Sequence, residues 1–394
     1  MTRSPAPRLR GAPTRQAAQR ATPQAAQEAS GTGPATGLLA RLRDQARARL
    51  DPVHWDFFEG GADGERAVAE NEAAFRRLAL LPRVLRGSGP ARTTVDLPGA
   101  PDTLPVVVAP TAFHKLAHPA GEAATARAAA AAGAVLTTSM ASTTAVGEVA
   151  AAARAVRPEA AVWFQLYLQP EPAVTRELVR RAEAAGCTAL VVTVDSPVFG
   201  RRARDDRNRF HDLPPGYAAE NMRDLPGGPP GSTRPIAMSP ALSWADLAAL
   251  RAATRLPVLV KGVLHPEDAR IAVAEGVAGV VVSNHGGRQL DAAPAALEAL
   301  PAVADAVAGR VPVLLDGGVR SGADVVTALA LGATAVGVGR PVLWGLAADG
   351  ERGAARVLAE LREQTAHVLT LCGSADCAGV TRDQVVRRGG QAPW

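Results

Sequence analysis

From residue 104 onward, short apolar runs rich in β-branched residues alternate with Ala-rich stretches whose apolar positions recur at helical spacing. The apolar runs fall at 104–109, 134–138, 161–166, 188–194, 256–260, 278–282, 311–315 and 334–338, and predict strands. The longer stretches at 120–132, 144–155, 171–185, 243–253, 266–275, 294–307, 321–331 and 350–371 predict the helices that follow them. Eight strands, each with its own crossover, predict an α/β chain closed as a (β/α)8 TIM barrel rather than an open doubly wound sheet. Two helical patterns at 38–50 and 64–78 precede the first strand and predict an N-terminal helical extension packed across one end. The connection after strand four breaks the rule of short loops. Residues 213–240 are crowded with Pro and Gly, which predicts a long lid loop.

Composition changes this picture mainly at the ends. The formal charge of +5 suggests a nucleic-acid partner until it is located. Residues 1–37 carry five arginines against Glu28 alone, a net of +4 that leaves about +1 for the remainder. A basic face that tracks phosphates is therefore not expected, and no nucleic-acid partner is predicted. The same segment is rich in Ala, Pro, Gln and Thr and lacks aromatic residues, so it predicts a disordered tail, though its Arg-rich, acid-poor character also fits a transit peptide. Residues 38–385 are expected to form the barrel domain and 386–394 a C-terminal tail. No window is apolar over the roughly 20 residues that a membrane span needs, so a soluble protein is expected. Cys187, Cys372 and Cys377 form no metal-ligand set, no metal is predicted, and a reducing cytoplasm is the simplest compartment.

Candidate chemistry gathers where a barrel concentrates it, at the carboxyl ends of its strands. These positions read Pro110, Thr111 and Ala112; Ser139; Gln165 with Tyr167; Thr193 with Asp195; Lys261; Ser283 with His285; Asp316, Gly317 and Gly318; and Gly339 with Arg340. Chance polarity in loops would not so regularly place an amide, a phenol, carboxylates, an ammonium and an imidazole just past apolar runs. His285 and Arg288, three residues apart, can face one small molecule, the imidazole taking a proton while the guanidinium fork holds an anion. The glycines between them suggest close approach of backbone to a ligand. Glycine-bearing turns after strands seven and eight, with Arg320 and Arg340 beside them, suggest a phosphorylated cofactor. Lys261 is one of only two lysines among 43 basic residues. It could hold negative charge on a reduced ring, or act as the Schiff-base nucleophile of a class I aldolase-like barrel, the alternative that the residues leave open.

These residues also carry a family resemblance. The motifs Trp55-Asp56-Phe57-Phe58, Ala109-Pro110-Thr111-Ala112, His118-Pro119-Ala120-Gly121-Glu122, Gln165-Leu166-Tyr167, Thr193-Val194-Asp195, Gly200-Arg201-Arg202, Leu259-Val260-Lys261-Gly262, Ser283 to Asp291, Asp316 to Arg320 and Gly339-Arg340-Pro341 resemble, in order, those of the FMN-dependent 2-hydroxy-acid oxidases and dehydrogenases. The resemblance implies FMN as cofactor and oxidation of an (S)-2-hydroxy acid to the 2-oxo acid. His285 would be the base, with Asp195 paired to it, and Arg288 and Arg202 would bind the substrate carboxylate. Tyr167 would donate near the substrate oxygens, and Lys261 would stabilise the reduced flavin. Ser139, Gln165, Thr193, Ser283 and the backbone of Pro110, Thr111 and Ala112 would surround the ring. Asp316 with its two glycines would contact the ribityl chain, and Arg320, Gly339 and Arg340 the phosphate. Many such proteins carry Tyr where Phe57 stands, so carboxylate binding would rest more on the arginines. Ala141 replaces a bulkier side chain and Phe199 lines the same region, which together favour a larger or aromatic substrate. The resemblance further implies O2 or another electron acceptor, and a homotetramer.

Overall fold

The computed structural model describes residues 1–2 and 37–389. The tail expected over 1–37 lies outside the described residues apart from Met1, Thr2 and Gly37, as do residues 390–394.

Eight parallel strands close on themselves: β1 (Val106–Val108), β2 (Leu136–Ser139), β3 (Val162–Leu166), β4 (Ala189–Thr193), β5 (Val258–Val263), β6 (Gly279–Val282), β7 (Val313–Asp316) and β8 (Ala335–Val338). Pairing of β8 with β1, Val336 opposite Val106 through Val338 opposite Val108, closes the ring and leaves it no free edge. β1 is shorter than its apolar run because Pro105, which has no N–H for the ladder, precedes it. Side chains alternate across the sheet. Val107, Trp163, Val191, Leu259, Val281, Leu314 and Ala335 fill the interior, and Val106, Phe164, Val192, Val260 and Leu315 pack outward under the helices. A hairpin of strands Val95–Leu97 and Ala100–Thr103 adds Leu97 and Ala100 to the interior cluster, and the Trp163 indole donates to the Pro98 carbonyl at 3.0 Å.

Around the ring run α4 (Gly121–Ala132), α5 (Val146–Val156), α6 (Pro172–Ala184), α8 (Trp244–Ala252), α9 (Pro266–Ala274), α10 (Ala296–Val307), α11 (Gly322–Ala330) and α12 (Arg340–Leu371). Three helices precede the barrel: α1 (Leu38–Arg49), α2 (Pro52–Glu59) and α3 (Arg66–Arg76), and a short α7 (Ala203–Asn208) stands in the long connection after β4.

Four expectations change. α2 was not predicted: its eight residues are too few to show a helical period, although Asp51 caps Val53 N and Pro52 opens it. α12 is two helices: the one expected over 350–371 follows non-helical backbone at Asp349 and Gly350, and a helix not expected precedes it from Arg340, with Pro341 in its first turn, where no amide is needed. Lys261 lies within β5, not past its end. The boundary drawn at 385/386 falls inside a strand, Val385–Arg387, which pairs antiparallel with Leu78–Leu80.

Candidate active site

The carboxyl ends of the strands open into a cavity of about 920 Å³. Of the residues singled out from sequence, Phe57, Pro110, Thr111, Ala112, Ser139, Ala141, Gln165, Tyr167, Thr193, Phe199, Arg202, Lys261, His285, Arg288, Asp316, Gly317, Gly318, Arg320, Gly339 and Arg340 line it. Asp195 and Ser283 do not. Asp195 stands behind His285, and Ser283, wholly buried, stands behind Lys261 rather than on the surface facing a ring.

His285 follows β6 and is held at φ +60, with Gly286 and Gly287 also left-handed at +63 and +78. Such backbone persists in a non-glycine residue only where its surroundings enforce it. Here they do so from several sides. His285 N donates to Ser283 Oγ at 3.0 Å, and Asn284 exchanges amide hydrogen bonds of 2.8 and 2.9 Å with Asn71 of α3. A Cβ on Gly287 would lie 2.6 Å from Val68 N, so the packing of α3 requires glycine there. Asp291 accepts from Ala67 N at 2.9 Å and Gly64 N at 3.2 Å, capping α3, and Gln289 joins Gly200 N to the carbonyls of Asp195 and Val198. The result is a fixed imidazole whose Nδ1 lies 2.9 Å from Asp195 Oδ1, which leaves Nε2 for a substrate. Burial raises the Asp195 carboxyl, but His285 and Lys261 bring it below its ordinary range, so it stays ionised.

Arg288 provides the opposite charge for an anion. Its Nη1 donates to the carbonyls of Phe57 at 2.8 Å and Gly60 at 2.6 Å, which fixes the guanidinium and leaves its other N–H groups toward the cavity. Arg202 is held by Asp205 at 2.8 Å, and both guanidinium carbons lie over the Phe57 ring, at 5.5 Å for Arg202 and 5.3 Å for Arg288. Phe57 therefore acts as a platform for the two cations, a contact open to a phenylalanine as well as to a tyrosine. Burial first, then Arg202 and Arg340, hold Arg288 down to about 9, as expected of like charges gathered without their counter-ion. Burial and the nearby Asp195 push the Tyr167 phenol upward, which keeps it a hydrogen-bond donor.

Lys261 reaches the cavity through a bulge, where pairing with β6 slips between Lys261 and Val263. Gly262 at φ +107 permits it, and a Cβ there would meet the Asp195 carboxyl carbon at 2.5 Å. Gly262→Ala should therefore cost about 1–3 kcal/mol and displace Asp195, read as a lowered melting temperature together with slowed turnover. A variant with wild-type stability and rate would show that the bulge is not what seats the carboxylate. The Lys261 ammonium donates to Ser283 Oγ at 2.9 Å and pairs with Asp316 Oδ2 at 3.2 Å. An ammonium so engaged suits charge stabilisation, not nucleophilic attack.

The wall fits a large polar-edged ligand. Ser139 Oγ donates to Gln165 Oε1 at 2.8 Å and Gln165 Nε2 to Thr193 Oγ1 at 3.1 Å, so these groups are pre-oriented. Asp316 Oδ1 is buried with no protein partner, an acceptor that a ligand hydroxyl would satisfy. At the far end Arg340 spends three N–H groups on the carbonyls of Phe58, Gly60 and Gly286, which leaves two of its five donors for an anion.

The connection after β4 brings residues that sequence reasoning missed. Phe210, His211, Leu213, Tyr217 and Ile236 line the cavity, yet the segment has no period from which to read a buried face. It is tied to α2 by Asp56, which accepts from Arg204 at 3.1 Å and Asn208 at 2.9 Å.

Known proteins of similar sequence and fold give the chain its family. The family profile described as FMN-dependent dehydrogenase matches residues 46–387. Glycolate oxidase 3 of Oryza sativa subsp. indica is 43% identical over 356 residues, covering 88% of this chain and 95% of its own. 2-Hydroxyacid oxidase 2 of Rattus norvegicus is 42% identical, covering 88% and 97%. Among solved structures, mandelate oxidase with (S)-2-phenylpropionate superposes with a TM-score of 0.80 at 42% identity, covering 89% of this chain and 98% of that one. A mandelate oxidase mutant with the C4a-OH-FMN adduct does so with a TM-score of 0.80 at 41% identity, covering 89% and 99%.

Proposed function

Since the chain belongs to the FMN-dependent dehydrogenase family and is an FMN enzyme oxidising 2-hydroxy acids, we propose that His285 is its base and that Arg288 and Arg202 bind the carboxylate of an (S)-2-hydroxy acid. The observation that carries this reading is the Asp195–His285 contact of 2.9 Å in one cavity with the Arg288 fork.

The carboxylate would meet the free N–H groups of Arg288 with Arg202 beside it, which fixes the CH–OH carbon opposite His285. Nε2 of His285 takes a proton from that group, and Asp195 stabilises the imidazolium that forms. Tyr167, kept protonated, donates to the substrate oxygens. When bound, FMN would supply the acceptor for the two electrons and the second hydrogen released as CH–OH becomes C=O. Lys261 holds a positive charge ready for the ring edge where negative charge develops. The phosphate would lie at Arg320, Gly339 and Arg340, and the ribityl hydroxyls at Asp316. Ala141 and Phe199 leave room and aromatic surface for a large or aromatic substrate. O2, or another acceptor, would take the electrons onward.

The test is anaerobic bleaching of the flavin band by glycolate, lactate, mandelate and a long-chain 2-hydroxy acid, followed by admission of oxygen. Bleaching fastest with mandelate, then recovery of colour in air, is expected. No bleaching by any of the four would overturn the proposal. Buried, unpaired Cys187, Cys372 and Cys377 support a reducing compartment such as the cytoplasm. A homotetramer belongs to the same reading and is checked by light scattering.

A further inference from the structure

Trp344 does not line the cavity, yet it touches a cation that does. Its indole, 4% exposed in the second turn of α12, carries Arg320 over the ring with Cζ 5.0 Å from the centroid. Arg43, from α1, stacks on the same ring at 5.5 Å. The indole Nε1 donates to Glu59 Oε1 at 2.5 Å, and Glu59 Oε2 accepts from Arg43 Nε at 3.1 Å and Nη2 at 2.7 Å. Glu59 is itself buried at the end of α2. Arg320 is further held by Glu72, at 3.1 Å from Nε and 3.0 Å from Nη2, and donates from Nη1 to its neighbour's carbonyl, Val319 O, at 2.8 Å.

A guanidinium lying on an indole keeps all its N–H groups available in its own plane, whereas rotation out of that plane loses the cation–π contact. The ring thus restricts Arg320 to one orientation without using up a donor. Glu59 and Arg43 restrict the ring in turn, so an element from the start of the fold bears on the far end of the cavity.

We infer that Trp344 is a positioning residue for the anionic end of the cofactor: in cation–π contact with Arg43 and Arg320 and tethered by Glu59, it presents Arg320 to the phosphate of FMN. The inference rests on the proposed placement of that phosphate at Arg320 and Arg340. Its test compares FMN with riboflavin, which has the same ring system and no phosphate, by fluorescence titration of full-length apoprotein. Trp344→Leu is expected to weaken FMN binding about tenfold, the worth of a desolvated cation–π contact, and to leave riboflavin binding within about twofold. Arg43→Met, on a half-exposed side chain, is expected to weaken FMN about threefold with riboflavin unchanged, and decides the matter if the tryptophan variant does not fold. Equal weakening of both flavins would reduce Trp344 to a packing residue, and unchanged FMN binding in both variants would remove the role. FMN held no more tightly than riboflavin by the unaltered protein removes the phosphate site, and the inference with it.

Discussion

His285→Gln is expected to leave the protein yellow while slowing anaerobic bleaching by its best 2-hydroxy acid about 10³-fold, the usual contribution of a well-placed general base. Glutamine keeps the size of the side chain and can still donate toward Asp195, but it has no nitrogen able to take the proton. Because His285 Nδ1 is already engaged by Asp195 at 2.9 Å, only one nitrogen of the native ring is left to face the substrate. Stopped-flow absorbance at the flavin band measures the rate, and flavin content after gel filtration confirms that the cofactor site is intact. Bleaching at the native rate would remove His285 from the mechanism.

The second large effect concerns Arg288. Arg288→Met should lower kcat/KM for the acid about 10²-fold or more, because a buried charge pair with its hydrogen bonds is worth roughly 3 kcal/mol. The corresponding 2-hydroxy amide, which has no charge to bind, should lose far less, so the preference for acid over amide collapses. Arg288→Lys should recover little, since an ammonium cannot reproduce the planar fork. A pH dependence follows from the same cluster. Burial, Arg202 and Arg340 hold Arg288 at about 9, so its cationic form, the form that binds a carboxylate, prevails below that pH and is lost above it. KM for the acid is expected to rise as the pH passes about 9, and a flat KM, or an unchanged preference for acid in Arg288→Met, would place the clamp elsewhere.

The barrel was legible because each βα unit announces itself locally, by a short β-branched run and then a helical stripe, and eight units leave few ways to close. The strand ends were legible for the same reason: polar types such as Gln165, Thr193 and His285 contrast with the apolar runs before them. What escaped was set by tertiary contact. The roles of Gln289 as a stitch to Gly200 and of Asp291 as a cap for α3 exist only once distant segments meet. The bulge that turns Lys261 inward depends on Gly262 lying against Asp195, which no run of apolar residues reveals. The cavity reaches His211 because the connection after β4 folds back over the strand ends, which no pattern in that segment announces.

The ties between the 57–71 region and the 284–291 run bear on how the protein is made. Asn71 and Asn284 are 213 positions apart, and Phe57, Gly60, Ala62 and Ala67 depend on partners equally remote. During synthesis the early segment leaves the ribosome well before those partners exist, and domains dominated by such distant pairings assemble slowly. The carboxylate clamp is therefore among the last features to mature, and a nascent chain halted before β6 can hold a partial barrel but no working pocket.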